Sequence, residues 1–370
     1  KFADYLASKH CIAFPFARTA IYYALKTQNF PEGTGVIMPP ITIKPMLDVV
    51  LALKLKPVFV DIDTETLCFD LDQLQSALST QTKAILVTYL FGIVPNMNRL
   101  IALCKENNLF IIEDFSQCLN GKYHEQCVGS FGDVGIYSAS SIKTLDTYGG
   151  GLAVTNHHNL AQQLRDAQEK LQPASRKLLL RRIITDLVRN VATQRLVFHL
   201  LTFKLIHLIN YFKPGGAIKH TGNRSKQRLQ TLPSQWFTSY TSFQAKVGIN
   251  LLPMVKSDDH QRVANVEYIK KHVKNVHFPK GAAHTANVYW QLPAYVDDSL
   301  RVQKHLHQNK IDTSTTSLEK ISNITAYPTQ TKTPNADKLY DNALFIPSYP
   351  GLKQRDIEHI VYVLNQESVR

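Results

Sequence analysis

A carboxylate and an amine occupy positions in this sequence where chemistry is often found. Asp114 ends an apolar run beside Glu113, and Lys143 follows a second apolar run and precedes the glycine-rich stretch 148–151. A lysine amine is a nucleophile and a proton carrier, and a carboxylate can hold a proton in place. Taken singly, each has an ordinary explanation, because aspartates cap helices, lysines lie on surfaces and glycines form turns. Their meaning depends on the elements that position them.

Short apolar runs alternate with helical patterns through the first 155 residues. The runs that we predict as strands are 36–38, 58–61, 84–88, 109–114, 134–138 and 151–155. Continuous apolar strands alternating with helices such as 97–107 predict an α/β fold with a mostly parallel sheet covered on both faces. Functional side chains in such sheets follow the carboxyl ends of strands, which is where Asp114 lies.

The alternation of predicted strands and helices resumes after about residue 240. We predict a strand at 289–292, a helix at 299–309, a strand at 344–347 and a terminal helix at 355–364. A length of 370 residues suits two domains. The prediction is therefore a large domain over 1–249, with an insert at 172–232, and a smaller α+β domain over 250–370.

The bulk composition restricts the class of protein further. The chain is 44% hydrophobic, which excludes wholesale disorder, and its formal charge of +13 suggests an anionic partner. The five cysteines form no CxxC pair, so we expect a reducing compartment, no disulfide framework and no metal site. The sequence starts at Lys1 without an apolar leader, and no apolar run is long enough to span a bilayer. A cytoplasmic location follows as an expectation.

Several short motifs, in this order and spacing, resemble the DegT/DnrJ/EryC1/StrS family of sugar aminotransferases. They lie at 58–63, 88–95, 112–117, 128–133, 137–143, 149–156 and 344–356. The resemblance runs over nearly the whole chain. It implies a fold-type I enzyme that depends on pyridoxal 5'-phosphate (PLP), with a seven-stranded type of sheet and a homodimeric state. It also implies that the family's opening segment is missing ahead of Lys1.

The resemblance gives the candidate residues their roles. Lys143 would bind the cofactor aldehyde and then carry protons, and Asp114 would keep the pyridine nitrogen protonated. Proton transfer by Lys143 requires a lowered pKa, which burial favours. Gln117 is implied near the cofactor's ring oxygen and Ser138 at its phosphate. Lys143 also favours amino transfer over dehydration, because relatives that dehydrate sugars carry His at that position.

The phosphate loop and the ring-stacking position depart from the family pattern. The family's Ser-Gly-Thr is replaced by 16–18 or, one residue on, by Ala17, Arg18 and Thr19, at the start of a helical pattern whose backbone N–H groups suit a phosphate. Arg18 is either a bidentate phosphate ligand or a surface charge, and both readings stay open. Ile43 replaces the aromatic residue that stacks on the ring, and it can pack there without π stacking.

Two further motifs have lost polar residues. The run at 237–240 replaces the family's Asn-Tyr-Arg-Met, which reaches toward the neighbouring subunit's cofactor, and 149–151 replaces Glu-Gly-Gly. These departures leave PLP chemistry expected and put the usual nucleotide-sugar substrate in doubt.

Most of the positive charge lies in the insert. Residues 172–228 hold twelve Lys or Arg against the single acid Asp186, so they contribute +11 of the +13. A helical pattern runs through 178–212, with Arg182 and Arg189 away from its apolar face. That apolar face consists of Leu180, Ile183, Ile184, Leu187, Val188 and Val191. Two readings remain open: 176–213 lies in the membrane interface at the inner face, or it packs as a hairpin on the enzyme or in a dimer. No nucleic-acid motif is found.

The sequence therefore predicts a PLP-dependent aminotransferase that moves an amino group, from glutamate, onto a keto-sugar. The sugar would be nucleotide- or lipid-linked and would serve cell-surface polysaccharide or lipopolysaccharide biosynthesis. A non-catalytic or regulatory family member that uses the insert for interaction is the main alternative. A PLP-dependent sugar dehydratase is a further alternative, which Lys143 disfavours.

Overall fold

A seven-stranded sheet forms the centre of the computed structural model, which describes residues 1–212, 231–316, 318–324 and 331–366. The strands are β1 (His10–Phe14), β2 (Gly35–Met38), β3 (Ile41–Thr42), β4 (Lys56–Phe59), β5 (Thr82–Thr88), β6 (Phe110–Asp114), β7 (Lys122–Tyr123), β8 (Gln126–Cys127), β9 (Val134–Ser138), β10 (Gly151–Thr155), β11 (Thr285–Ala286), β12 (Leu292–Tyr295), β13 (Glu319–Lys320) and β14 (Ala343–Ile346). The main sheet has the order β1-β10-β9-β6-β5-β2-β4.

The pairing in this sheet is mostly parallel, as predicted. β4, β2, β5, β6 and β9 run parallel, and β10 is antiparallel to both of its neighbours. The edge strand β1 was not predicted from the sequence, because His10 and Cys11 interrupt the continuous apolar pattern of the buried strands. The predicted α/β class is confirmed.

Helices cover both faces of the sheet. They are α1 (Phe2–Tyr5), α2 (Ala17–Lys26), α3 (Lys44–Ala52), α4 (Leu71–Ala77), α5 (Met97–Glu106), α6 (His158–Glu169), α7 (Arg176–Ala192), α8 (Arg195–Val197), α9 (Phe203–Phe212), α10 (Ser242–Leu251), α11 (Val255–His272), α12 (Ser299–Gln308), α13 (Pro334–Asn342) and α14 (Gln354–Gln366), with a π-helical turn at Phe198–Thr202 and 3₁₀ turns at Leu90–Gly92, Ser234–Phe237, Leu252–Met254 and Ile321–Asn323. Val36 and Met38 of β2 share a core with α2, α3 and α6, whereas Ile37 shares the opposite core with α4 and α5. Successive strand residues thus fill opposite faces.

A third apolar core joins β12 and β14 to helices α11–α14. The strand predicted at 289–292 is wrong, because pairing begins only at Leu292. Tyr289 has a φ of 46° and is buried, and its N–H donates to the carbonyl of Gly92 instead of to a strand. The domain boundary predicted at 249/250 falls within α10, and the division into two domains stays a prediction.

The insert is helical where the structure describes it. Ser175 caps α7 by accepting the N–H of Leu178, and α8, the π-helical turn and α9 follow. The basic residues from Lys213 to Arg228 lie outside the described residues. In the part of the chain that is described, no helix combines the length and the apolar character that crossing a membrane requires.

The orientation of α7 is the reverse of an ordinary surface helix. Its apolar residues Leu180, Leu187 and Val188 are 57–61% exposed. The polar residue Asp186 is buried on the protein side, and Arg182 is half-buried there. Among the residues that the structure describes, this apolar face is largely exposed, and α7 contacts the rest of the chain through polar groups.

Candidate active site

Asp114 lies at the carboxyl end of β6, in the middle of the main sheet. Its carboxylate is buried and accepts the N–H of Ser116 at 3.0 Å. Burial raises the pKa of Asp114, and the bonds from Ser116 and the charge of Lys143 oppose that rise. A cation beside this carboxylate therefore stabilises its charged form.

The neighbouring Glu113 points to the opposite face of the strand and has a different task. Its buried carboxylate accepts the N–H groups of Gly129, Phe131 and Gly132 at 2.7–2.8 Å and the hydroxyl of Tyr89. These bonds fix the loop ahead of β9. Glu113 is therefore a structural carboxylate, and the candidate chemistry rests on Asp114.

Lys143 lies in the loop after β9, half-buried, with its Nζ 4.0 Å from the centre of the Trp290 ring. Burial lowers the pKa of Lys143 to about 8, and the charge of Asp114 works against this shift. The structure thus places the two residues that the sequence singled out close enough for their charges to interact. An amine with this pKa is largely neutral at mildly alkaline pH and can act as a nucleophile or a base.

Trp290 was not identified from the sequence, although it is one of only two tryptophans. Its Nε1 donates to the carbonyl of Ile142 at 3.2 Å, which holds the indole against the lysine loop. Gly92 allows the backbone of Trp290 to come this close. The φ of Gly92 is 81°, and a Cβ there would lie 2.7 Å from the backbone nitrogen of Trp290. Gln117 steadies the same turn by accepting the N–H of Phe91 at 2.6 Å.

The start of α2 lies against the first residue of β10. A Cβ on Gly151 would lie 2.3 Å from the Ala17 nitrogen, so only glycine permits this approach. Ser138 pairs with Gly151 across the sheet, and its hydroxyl shares a 2.8 Å hydrogen bond with Ser140. Ala17 and Ser138 are thus neighbours across Gly151. The Thr19 hydroxyl is buried and donates to the carbonyl of Trp236 at 2.6 Å, so it is occupied elsewhere.

Arg18 extends from the first turn of α2. Its guanidinium carbon lies 4.1 Å from the Phe16 ring centre and 4.5 Å from that of Trp236. Its Nε is buried and has no hydrogen-bond partner. Burial lowers the pKa of Arg18 to about 10, and the charge of Arg182 adds to this. Arg18 is therefore a partly buried cation at a helix N-terminus, a place that favours anions.

Helix α7 of the insert closes this region with its polar face. Asp186 accepts the hydroxyl of Ser141, two residues before Lys143, at 2.7 Å and pairs with Arg189 at 2.9 Å. Arg189 also reaches Asp146 at 3.5 Å. The insert therefore holds the loop that carries Lys143, a role that the sequence pattern did not reveal.

Two other positions that depart from the family pattern are Ile43 and the run at 237–240. Ile43 precedes α3, and the residues that the structure describes leave it 41% exposed. Phe237 packs edge-on against Tyr22 at 5.1 Å, and the Tyr240 hydroxyl donates to Thr147 at 2.9 Å. The run at 237–240 thus packs within its own chain.

The mostly parallel seven-stranded sheet, with Asp114 at the end of β6 and Lys143 in the loop after β9, fits the fold-type I class of α/β proteins. The model of the DegT/DnrJ/EryC1/StrS aminotransferase family matches residues 1–177 and 220–365, so the chain belongs to this family. Residues 178–219, which include most of α7, are not part of the match.

Relatives and solved structures agree with this assignment. The chain is 33% identical to L-glutamine:2-deoxy-scyllo-inosose aminotransferase of Streptomyces kanamyceticus over 164 residues, 44% of this chain and 38% of that protein. It is 32% identical to GDP-perosamine synthase of Escherichia coli O157:H7 over 160 residues, 43% and 44% of the two chains. The matches thus span about two fifths of these curated relatives. A DegT DnrJ EryC1 StrS aminotransferase from Brucella abortus superposes with a TM-score of 0.76 at 22% identity, covering 98% and 87% of the chains.

The opposing effects on Lys143 predict the result of an Asp114→Asn substitution. The carboxylate charge favours the protonated amine, so its removal lowers the pKa of Lys143 further below 8. Competitive acetylation of the cofactor-free protein, read at the Lys143 peptide by mass spectrometry, should show the reactivity rising at lower pH than in the parent protein. Asp166→Asn, at an exposed carboxylate, is the control and should leave the curve in place. A curve that moves to higher pH would contradict the assigned contact.

Proposed function

We propose that this protein is a PLP-dependent aminotransferase that moves an amino group onto a keto-sugar. The observation that carries the proposal is the placement of Lys143, in the loop after β9, where its charge interacts with the buried Asp114 at the end of the neighbouring strand β6, with an amine whose pKa is about 8. Family membership supports it. Because the chain spans only part of its curated relatives, the activity is proposed from the site and the family together.

The residues present fit PLP at three points. Lys143 offers an amine of lowered pKa, Asp114 offers a buried carboxylate, and Arg18 offers an unpartnered buried Nε beside the N-terminus of α2. Ala17 and Ser138 adjoin that N-terminus. We assign Ile43 to one face of the ring and Gln117 to its ring oxygen. We assign no phosphate contact to Thr19, because its hydroxyl is used by Trp236.

The cofactor, when bound, supplies the electron sink that stabilises negative charge on the substrate carbon. Asp114 would keep the pyridine nitrogen protonated. Lys143 would hold the aldehyde, and once released its Nζ would carry a proton between the substrate carbon and the cofactor carbon. The Trp290 ring lies over this Nζ, and burial of the amine lowers its pKa.

The substrate and the donor are proposed by chemical class. The names of the two relatives point to a ketone on a sugar or cyclitol. We assign a nucleotide- or lipid-linked keto-sugar of cell-surface polysaccharide or lipopolysaccharide synthesis, with glutamate as donor. The Streptomyces relative names glutamine, so both amino acids belong in the assay.

We assign the exposed face of α7 and its neighbours, over 176–213, to an anionic membrane surface on the cytoplasmic side. Large apolar side chains are 52–75% exposed at Leu180, Ile184, Leu187, Val188, Leu196, Leu200, Leu201, Leu205 and Leu208. Arg176, Lys177, Arg181, Arg195 and Lys204 are exposed among them, whereas the one acid of this segment, Asp186, is buried. Bulky apolar groups with flanking cations suit a lipid interface. We expect a homodimer as well.

Replacing the lysine tests the proposed chemistry. Lys143→Ala should lower the rate of amino transfer by at least about 10²-fold, because it removes both the cofactor link and the proton carrier. The measurement is formation of the oxo acid from glutamate or glutamine by mass spectrometry, with candidate keto-sugars. Lys105→Ala, at an exposed lysine of α5, is the control and should keep the rate. Absence of turnover by the parent protein with every donor would favour the non-catalytic alternative.

Removing apolar side chains tests the lipid surface. Leu187→Ser with Val188→Ser should weaken co-sedimentation with anionic liposomes at least about tenfold, because both side chains would leave the apolar interface. Binding should also fall with added salt. Ile249→Ser with Leu251→Ser, on the exposed face of α10, is the control. If the α7 variant instead changes a dimer into a monomer and the parent protein ignores liposomes, a second copy covers this face.

A further inference from the structure

The phosphate end of the site holds a second arginine, which comes from the insert. The guanidinium of Arg182 lies 4.6 Å from the Phe16 ring centre, and that of Arg18 lies 4.1 Å from the same ring. Arg182 is on α7, in the stretch 178–219 that the family model leaves unmatched. Two guanidiniums from distant parts of the chain thus contact one aromatic side chain at the start of α2.

Neither guanidinium has a hydrogen bond or an ion pair with any residue that the structure describes. The carboxylates whose charge reaches them are engaged by other groups. Asp48 is paired with Lys44 at 2.7 Å, and Asp186 is held by Ser141 and Arg189. The charge of Arg182 contributes to lowering the pKa of Arg18, so these two partly desolvated cations repel one another. An anion between them would remove that repulsion.

The backbone around the two arginines is shaped to admit such an anion. Gly149 has a φ of 107°, and a Cβ there would lie 2.5 Å from Nη1 of Arg182, so glycine is what allows Arg182 to reach this place. The N–H groups of the first turn of α2, at Ala17 and Arg18, have no partner within the helix. Both guanidiniums therefore lie at Phe16, the residue that precedes the first turn of α2.

We propose that Arg18 and Arg182 together bind a phosphate monoester, with the insert supplying half of the clamp. Planar guanidiniums suit the bidentate recognition of phosphate oxygens. The proposal rests on the proposed function for the source of that phosphate, which is either the cofactor or the linked sugar. The insert would then contribute Arg182 to the site, in addition to presenting its apolar face outward.

The experiment compares PLP with pyridoxal, which lacks the phosphate, by absorbance titration of the cofactor-free protein. Arg182→Ala should weaken PLP binding about 10- to 100-fold and leave pyridoxal binding unchanged, since charge-assisted hydrogen bonds to the phosphate are lost. The PLP affinity of Arg182→Lys should lie between those of the parent protein and Arg182→Ala, because an ammonium group cannot bind phosphate bidentately. Arg181→Ala, one residue away and exposed, is the control and should bind like the parent protein.

Thermal shift with inorganic phosphate separates this inference from the proposed function. Phosphate should raise the melting temperature of the parent protein and of Arg181→Ala, and raise that of Arg182→Ala much less. This result with no PLP binding by the parent protein would leave the anion clamp standing and refute the cofactor assignment. A change in KM for the linked sugar, with PLP binding intact, would assign the phosphate to the substrate. Equal behaviour of the Arg181 and Arg182 variants toward PLP, phosphate and sugar would overturn the proposal.

Discussion

The electrostatic interaction between Lys143 and the buried Asp114 sets the conditions for the rest of the site. Burial favours the neutral amine, the carboxylate favours the charged amine, and the balance leaves the pKa of Lys143 at about 8. The surrounding structure maintains this balance. The central strand β6 ends at Asp114. On the other face of that strand, Glu113 holds the loop ahead of β9, and the Trp290 ring lies over the Lys143 amine.

The insert joins the lysine loop to the surface of the molecule. Its inner face is polar and holds that loop through Asp186, while its outer face is apolar and basic. In the described part of the insert, the positive charge therefore lies in two places: at Arg182, which is half-buried next to the start of α2, and at exposed cations that flank the exposed apolar face. A helix with this reversed polarity is stable on the protein because its inward charges are paired, apart from Arg182, or bonded to hydroxyls.

The features that could be predicted from the sequence are those that depend on local sequence patterns. Continuous apolar runs predicted the parallel sheet, and ordered motifs pointed to Asp114 and Lys143, which the fold brings together. Features that depend on tertiary contacts were missed or misplaced. β1 is an edge strand with polar residues, the strand at 289–292 is displaced by the turn at Tyr289, and Trp290 is recognisable only from its contact with Lys143. Helical periodicity separated the two faces of α7 correctly, but it could not tell that the polar face would be buried.

Chemical trapping at Lys143 tests the central claim most directly. The protein is incubated with PLP, reduced with borohydride and digested, and the modified peptides are mapped by mass spectrometry. The account predicts one modification per chain, on the peptide that contains Lys143, with exposed lysines such as Lys177 and Lys204 modified only at excess reagent. Modification spread over the surface lysines with Lys143 unmodified would contradict it.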